Sequence, residues 1–281
     1  MKIIYLNDSQ QSIGGGWTFK RNLEKIMTKM GHQTVEDLKQ ADIAFVAGPT
    51  MVTRETIDSV KASQAKLVVR LDNVPRNSRN RNTGTSRLKE FAQKADQVVW
   101  QCVWAQDYLE DFVQSRGVII RNGVDMEIFN KTGKKIDFGP KENVFLYSRF
   151  NRDETKNWEV AWYKFQMLYR ENRERKLILV GQFSPEQVEY NFDFFRGEDV
   201  TYFGVVDDPN RMAEIMRGCG HFLATYYNDC YSNTYQEAIA CGCELFEPDM
   251  SGGTPEMVCV PPKSLEEMGE EYEKLFLSLL K

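Results

Sequence analysis

Short apolar runs alternate with amphipathic stretches along the chain. In the first half, the apolar runs predict strands at Lys2–Leu6, Ile43–Ala47, Leu67–Leu71, Gln97–Trp100 and Val118–Ile120. The stretches between them have apolar positions at helical spacing and predict helices at Trp17–Met30, Val52–Ala62, Ser86–Lys94 and Trp104–Gln114. This alternation is typical of parallel sheets whose strands are connected by crossover helices.

The same alternation begins again at Val144. The second series predicts strands at Val144–Tyr147, Leu177–Val180, Val200–Phe203 and Phe222–Thr225, and helices at Trp158–Glu171, Pro209–Arg217 and Thr234–Ala240. The break at Lys131–Lys141 is rich in Gly, Lys and Pro and has no apolar periodicity, which indicates a linker. We therefore predict an α/β protein with two Rossmann-like, doubly wound domains, at residues 1–135 and 140–262, that face each other across a cleft. Ligands are expected at the carboxyl ends of the strands.

The last stretch of the chain predicts one more helix. Ser264 and Glu267 have the Ser-x-x-Glu spacing of a capping box, and a run rich in Glu, Leu and Phe follows them. We expect residues 263–281 to form a helix that packs back on the first domain.

Length and composition agree with this picture. A chain of 281 residues can form two domains of about 130 residues each. The net charge of −5 does not favour a dedicated nucleic-acid binder.

No apolar run reaches about 18 residues, so the sequence predicts neither a membrane span nor an export signal. The six cysteines have no regular framework, which favours a reducing cytoplasm. Cys241 and Cys243 are too close in sequence for the usual zinc spacing, so we expect no structural metal. We also expect no cofactor.

Basic residues are concentrated between Lys66 and Glu90. This segment contains seven lysines and arginines and two acids, although the chain as a whole is acidic. Such a segment can meet an anionic partner, or its arginines can pair with surface acids, and the sequence leaves both interpretations open. The candidate contacts of an anionic partner are Arg70, Asn73, Arg76, Arg79 and Arg81.

Two further groups of residues suit a ligand that carries phosphate. Gly14, Gly15 and Gly16 lie between the first strand and the first helix, where glycine lets a ligand approach the backbone and the helix N-terminus attracts an anion. Arg149 ends one strand and Lys156 precedes the next helix, so both cations are placed to hold a diphosphate. A tight turn and a pair of solvated surface charges are the alternative interpretations.

The most informative segment runs from Asp229 to Glu237. A predicted strand leads into it and a predicted helix leaves it, so Ser232, Asn233 and Thr234 lie at a helix start, where N–H groups and hydroxyls can receive phosphate oxygens. Two carboxylates beside an anion site would repel a phosphate, and sugar hydroxyls are their natural partners. An N-cap acid together with a solvated helix acid is the alternative interpretation.

This segment resembles the donor-site motif of the retaining GT-B glycosyltransferases, the glycogen synthase and sucrose synthase-like family, here in a compact form. The motif consists of an acid, seven intervening residues and a Glu, followed by a small-residue segment, here Ala238–Gly242. Further segments follow in the order of the family: Gly14–Gly16, Arg121–Asp125 with Phe129, Arg149 with Lys156, Gly204–Val206, and Gly252–Glu256. The resemblance covers about residues 1–260.

The resemblance implies transfer of a sugar from a nucleotide-diphosphate sugar, such as a UDP-glucose-like donor, to an acceptor. It implies retention of the anomeric configuration and a reaction that requires no metal. Arg149 and Lys156 would stabilise the leaving diphosphate, and the helix start at residues 232–234 would bind its phosphates.

The resemblance also implies roles for the remaining donor-site residues. Asp229 would accept hydrogen bonds from the donor sugar, and Glu237 would accept them from the ribose. Val205 would lie beside the base, and the glycine loop with Gly15 and Gly16 would complete the donor site. Asp229 stands where the family usually has Glu.

One departure concerns the first domain. The family often has a His near the reacting sugar, and the corresponding stretch here is Arg70–Asn73. We therefore expect Asp72 or Arg70 to replace it. The acceptor stays open among phosphorylated lipid, anionic glycan and nucleic acid, and a phage-type enzyme that glycosylates modified DNA bases is one alternative. Two other classes remain open: a sugar-nucleotide enzyme that isomerises or hydrolyses its donor, and a non-catalytic glycan- or nucleic-acid-binding module on the same fold.

Overall fold

The chain folds into two compact units. The computed structural model describes residues 1–8, 14–72, 74, 82–150, 154–182 and 199–281, with the backbone alone at 82–85, 149, 150 and 154. The first unit comprises Met1–Gly123, Asp229–Tyr231 and Lys263–Lys281, and the second comprises Val124–Asn228 and Ser232–Pro262. Asp229–Tyr231 therefore belongs to the first unit, although the residues on both sides of it belong to the second.

Strands and helices alternate along the described residues. The strands are β1 Lys2–Leu6, β2 Gln33–Thr34, β3 Ile43–Val46, β4 Lys66–Leu71, β5 Gln97–Trp100, β6 Val118–Ile119, β7 Gly123–Val124, β8 Val144–Phe150, β9 Lys176–Gly181, β10 Val200–Tyr202, β11 His221–Leu223, β12 Glu244–Phe246 and β13 Lys263–Ser264. The helices are α1 Gly15–Lys29, α2 Arg54–Lys61, α3 Asn82–Lys94, α4 Val103–Val113, α5 Trp158–Glu171, α6 Pro209–Gly218, α7 Asn233–Ala240, α8 Thr254–Cys259 and α9 Leu265–Leu279.

The first unit is built on a six-stranded parallel sheet with the order β2-β1-β3-β4-β5-β6. All four residues of the central strand β3 are buried, as expected for a continuous apolar run that is covered on both faces. The chain order reverses between β1 and β3. In open α/β sheets, ligands bind beyond the carboxyl ends of the strands at such a reversal.

An aromatic cluster packs the C-terminal helix α9 into the core of the first unit. The Phe45 ring on β3 lies 6.2 Å from the Phe19 ring of α1, and 5.6 and 6.0 Å from the rings of Tyr272 and Phe276 on α9, measured between ring centroids. Helix α9 begins with the predicted capping box at Ser264, and both of its reciprocal hydrogen bonds are present. The predicted helix and its cap are therefore confirmed.

The second unit is built on a five-stranded parallel sheet with the order β10-β9-β8-β11-β12. Helix α5 covers it through aromatic contacts, with the Tyr147 and Trp158 rings 5.1 Å apart. Here the chain order reverses between β8 and β11, so the residues that follow these two strands lie where a ligand is expected. The predicted α/β class with parallel sheets is confirmed.

Candidate active site

Lys156 follows β8 in the second unit, and its backbone is held from both sides of the reversal. The Tyr147 hydroxyl, on β8, donates to the Lys156 carbonyl oxygen at 3.0 Å. The Thr225 hydroxyl, just beyond β11, donates to the carbonyl oxygens of Lys156 and Asn157 at 3.3 and 3.1 Å. Asn157 has a left-handed backbone with φ 55° and turns the chain into α5. These bonds fix the point from which the Lys156 side chain leaves.

The Lys156 ammonium lies on an aromatic ring. Its Nζ is 4.1 Å from the centroid of the Tyr226 ring, a distance at which the ring face attracts a cation. Tyr226 is fully buried, and its hydroxyl donates to the Ser148 carbonyl oxygen. Arg149, the other predicted cation, lies in β8, and its side chain is outside the described atoms. Lys156, the cation of this pair whose side chain is described, therefore rests on a fully buried aromatic ring.

The N-terminus of α7 is capped by Ser232. The Ser232 Oγ accepts from the Tyr235 N–H at 3.4 Å, and the Ser232 N–H points at the Met257 Sδ at 3.2 Å. No acidic residue occupies the first turn of α7. The N–H groups of a first turn and the positive end of the helix dipole favour an anion. Thr234 is buried, with only 2% of the residue exposed, so its hydroxyl is not open to a ligand.

One ring connects these two features. Tyr226 stacks on Tyr235 of α7 with the ring centroids 4.6 Å apart and 21° between the planes, and the Tyr226 N–H donates to the Tyr235 hydroxyl at 2.8 Å. Tyr226 thus contacts both Lys156 and the first turn of α7. The structure brings the predicted cation and the predicted anion-binding helix start together in the second unit.

Two other predicted donor-site positions lie in the same unit. Glu237 is half-buried in the second turn of α7. Val205 is 53% exposed and follows Gly204, whose φ of 68° favours glycine. The Gly204 carbonyl oxygen accepts from the Gly181 N–H at 2.8 Å, which fixes this turn beside the end of β9. The geometry leaves the Val205 side chain accessible.

Asp229, by contrast, belongs to the first unit. It is half-buried, and the two residues after it are held by that unit. The Cys102 Sγ donates to the Cys230 carbonyl oxygen at 2.8 Å, and the Asn122 Nδ2 donates to the Tyr231 carbonyl oxygen at 3.2 Å. The two acids of the motif therefore belong to different units.

Asp72 lies at the carboxyl end of β4, against the predicted glycine loop. A Cβ at Gly48 would be 2.5 Å from the Asp72 Oδ2, and one at Gly16 would be 3.3 Å from the same atom. Gly48 therefore needs glycine while the carboxylate occupies this place, whereas at Gly16 the tighter contact is with the Met51 Sδ, 2.8 Å from the Cβ position. A carboxylate beside the start of α1 offsets the positive end of that helix. Gly16 thus adjoins an acid, a setting that suits a hydroxyl donor better than a phosphate.

Arg70 was predicted as a partner contact, but it lies in the core of the first unit. Its side chain is 2% exposed, and its guanidinium lies 3.8 Å from the centroid of the Phe19 ring. Burial lowers the pKa of the guanidinium, and the charge of Asp72 acts in the opposite direction. Arginine remains protonated in proteins, so Arg70 is a buried positive charge. The other predicted contacts, Asn73, Arg76, Arg79 and Arg81, lie outside the described residues.

The described residues contain neither a group of metal ligands nor a membrane-spanning helix. Within residues 1–8, 14–72, 74, 82–150, 154–182 and 199–281, no three His, Cys, Asp or Glu side chains are grouped closely enough to hold a metal ion. None of the helices described in those ranges has the length and apolar character needed to cross a bilayer.

Several residues of the site carried no local signal in the sequence. Tyr226 and Tyr235 are far enough apart in the chain that only the fold shows their stacking. Gln101 and Asn122 bond to Arg70, from which they are separated by 31 and 52 residues. The one signal that could have been used is the position of Arg70 inside an apolar strand run, which indicates burial.

The chain is similar to several solved structures along nearly its whole length. Anabaena HepE in complex with UDP and glucose shares 13% identity over 98% of this chain and 89% of that one, with a TM-score of 0.61. Sucrose-phosphate synthase from Thermosynechococcus elongatus shares 16% identity over 98% and 90%, with a TM-score of 0.65. AviGT4, a glycosyltransferase involved in avilamycin A biosynthesis, shares 13% identity over 99% and 98%, with a TM-score of 0.67.

No protein-family model matches the sequence, and no curated protein sequence matches it. The structural similarity defines the class of fold, which is the GT-B fold of these glycosyltransferases. The resemblance predicted from the motifs is thereby confirmed at the level of the fold.

Proposed function

We propose that the protein is a retaining glycosyltransferase that transfers a sugar from a nucleotide-diphosphate sugar to an acceptor. The observation that carries the proposal is the contact of Tyr226 with both Lys156 and the first turn of α7. A cation and a helix N-terminus that converge beyond adjacent parallel strands provide what a diphosphate needs. HepE was solved in complex with UDP-glucose, which supports a uridine diphosphate sugar as the donor to test first.

In this proposal, positive charge in the second unit stabilises the departing diphosphate. As the bond from the anomeric carbon to the diphosphate oxygen breaks, negative charge develops on that oxygen. Lys156, together with Arg149 and the N–H groups at the start of α7, lowers the energy of this charge without a metal. Glu237 accepts from the ribose hydroxyls, and Val205 lies beside the base.

Retention follows from attack on the same face of the sugar. The acceptor oxygen forms a bond to the anomeric carbon on the side that the diphosphate leaves, and the acceptor proton passes to the leaving phosphate oxygen. Asp229 accepts from the donor sugar hydroxyls and orients the ring, and no covalent intermediate on a carboxylate is involved. Asp72 serves the acceptor hydroxyl in place of the His that is common in the family.

The acceptor side of the proposal rests on the basic segment between Lys66 and Glu90. Its cations favour an acceptor that carries negative charge, such as an anionic glycan or a phosphorylated lipid. Screening acceptors with and without a phosphate or carboxylate group tests this point directly.

The experiment measures binding and transfer separately. Binding of UDP, UDP-glucose and other nucleotide sugars is measured by titration calorimetry. Transfer to a panel of acceptors is followed in the presence of EDTA. The anomeric configuration of the product is determined by NMR. Asp229→Asn and Glu237→Gln are expected to lose most transfer. Glu214→Gln, which removes an acid paired with Arg211 on α6, serves as the matched control. Nucleotide sugars that neither bind nor react, or a product of inverted configuration, would contradict the proposal.

A further inference from the structure

A buried hydrogen-bond network in the first unit ends on the backbone just after Asp229. The Arg70 guanidinium donates to the Gln101 Oε1 at 2.7 Å and to the Asn122 Oδ1 at 2.9 Å. The Asn122 Nδ2 donates to the Gln101 Oε1 at 3.0 Å and to the Tyr231 carbonyl oxygen at 3.2 Å. A single guanidinium on β4 thus connects through one amide to Tyr231.

The direction of every bond in this network is fixed by chemistry. A guanidinium can only donate, so the amide oxygens of Gln101 and Asn122 must face Arg70. The Asn122 Nδ2 is then forced to point away from Arg70, toward acceptors. These three side chains are 2–3% exposed, and buried polar groups are destabilised unless they are bonded. The network therefore has one favourable arrangement, and that arrangement presents a donor to Tyr231.

A second anchor holds the preceding residue. The Cys102 thiol donates to the Cys230 carbonyl oxygen at 2.8 Å, and its sulfur accepts from the Ala105 N–H at 3.3 Å as the N-cap of α4. Two consecutive carbonyl groups, those of residues 230 and 231, are therefore bound by the first unit. Both lie immediately after Asp229, so they set the course of the backbone that carries its carboxylate.

We propose that Arg70, Asn122 and Cys102 are positioning residues for the Asp229 carboxylate. In the structure all three side chains bond to groups within the first unit, and they act through the backbone of residues 230 and 231. The inference rests on the proposed function, in which Asp229 orients the donor sugar. Displacement of a reacting or orienting group by about 1 Å can lower a rate by about 100-fold, so such anchors affect turnover more than ligand binding.

The test uses Asn122→Asp in the full chain. The aspartate keeps an oxygen toward Arg70 and forms an ion pair with it, but it replaces the donor to the Tyr231 carbonyl with an acceptor. We expect kcat for transfer to fall about 10- to 100-fold, while the Kd for UDP, which carries no sugar, stays within about twofold of wild type. Asn172→Asp, at an asparagine of the second unit that donates to Asn143, is the matched control with wild-type turnover.

Two substitutions of Cys102 provide a second test in case Asn122→Asp does not fold. Serine can replace both hydrogen bonds of the thiol, whereas alanine removes both. Cys102→Ser is therefore expected to retain turnover, and Cys102→Ala to lose it at least about tenfold with unchanged UDP affinity. A network that only stabilised the core would lower the unfolding midpoint of Cys102→Ala without lowering kcat at a temperature where the variant is folded.

Amide hydrogen exchange gives a readout that does not depend on activity. Exchange at residues 230–232 should accelerate in Asn122→Asp and in Cys102→Ala, and stay at the wild-type rate in the Asn172→Asp control. Wild-type exchange together with wild-type turnover in Asn122→Asp overturns the proposal, as does equal turnover of Cys102→Ala and Cys102→Ser. If the wild-type protein transfers no sugar, the proposed function fails and the positioning role fails with it, whereas the exchange data still decide whether Asn122 anchors the segment.

Discussion

The Lys156 ammonium lies 4.1 Å from the centroid of the Tyr226 ring. The ring attracts the cation and at the same time leaves the outer donors of the ammonium directed away from it. A lysine held in this way loses less conformational freedom when it binds an anion than one that moves freely in solvent. Under the proposed function, the Tyr226 ring would hold Lys156 in place before a diphosphate binds.

Replacing Lys156 by Gln tests this arrangement. Hydrogen bonds to charged groups contribute about 1.5–3 kcal/mol, so the Kd for UDP should rise about 10- to 100-fold. Tyr226→Phe keeps the ring face and is expected to change the Kd by less than about threefold. Titration calorimetry of UDP measures both effects.

Lys164→Gln is the control for the loss of one lysine from the same unit. Lys164, on α5, forms an ion pair with Glu247 at 3.3 Å and is not one of the residues of the proposed site. An unchanged UDP affinity in Lys156→Gln, or an equal loss in Lys164→Gln, would contradict the role of Lys156.

Gly48 and Asp72 form a pair that can be tested by stability as well as by activity. An alanine Cβ at position 48 would lie 2.5 Å from the Asp72 Oδ2, so Gly48→Ala must displace the carboxylate. Overpacking of this kind destabilises by about 1–3 kcal/mol. The loss should be smaller in an Asp72→Ala background, because the clashing atoms are then absent.

Urea unfolding of the four proteins in this double-mutant cycle measures the coupling between positions 48 and 72. Both single variants are also expected to lose transfer while keeping UDP affinity, because Asp72 is proposed to serve the acceptor. Additive changes in stability would show that Gly48 is required for a reason other than its contact with Asp72.

Periodicity predicted the elements that bury a regular set of side chains. The boundaries of β1, β5 and α5 agree with the prediction at both ends, and most other ends differ by one or two residues. The short elements β12 and α8 were not predicted. Three residues in β12 and six in α8 are too few to show a period, so their existence depends on packing against neighbouring elements.

The site shows a different limit of sequence reasoning. The order of motifs led to Lys156 and the start of α7, because each lies at the end of a segment that connects a predicted strand to a predicted helix. Arg70 was grouped with the loop arginines because it is near them in sequence, whereas the fold buries it beside Gln101 and Asn122. Contacts between residues that are 31 and 52 positions apart leave no trace in a local pattern.

The left-handed backbone of Asn157 predicts a stability effect at the entry to α5. Asn157 has φ 55°, a conformation that asparagine and glycine adopt more readily than other residues. Asn157→Ala is expected to destabilise the protein by about 1–2 kcal/mol, and Asn157→Gly to be close to neutral. Chemical denaturation measures the difference. Equal destabilisation by the two substitutions would show that the asparagine side chain, and not its backbone, matters here.

The capping box at the start of α9 predicts a pH dependence. The Glu267 carboxylate accepts from the Ser264 N–H at 2.8 Å and from the Ser264 hydroxyl at 2.9 Å, and these bonds, the backbone one first, lower the pKa of Glu267. A carboxyl group with a lowered folded-state pKa stabilises the protein above its unfolded-state value of about 4.3, and this contribution is lost as the pH falls through the folded-state pKa.

The stability advantage of wild type over Glu267→Gln should therefore be full at pH 7 and shrink below about pH 4. Ser264→Ala, which removes one side of the box, should lower stability at pH 7 by about 1 kcal/mol. Glu270→Gln on the same helix controls for the loss of one negative charge. Thermal unfolding from pH 7 to pH 3 compares the stabilities of the four proteins. A stability difference between wild type and Glu267→Gln that stays constant over this range would show that the Ser264 bonds do not shift the titration of Glu267.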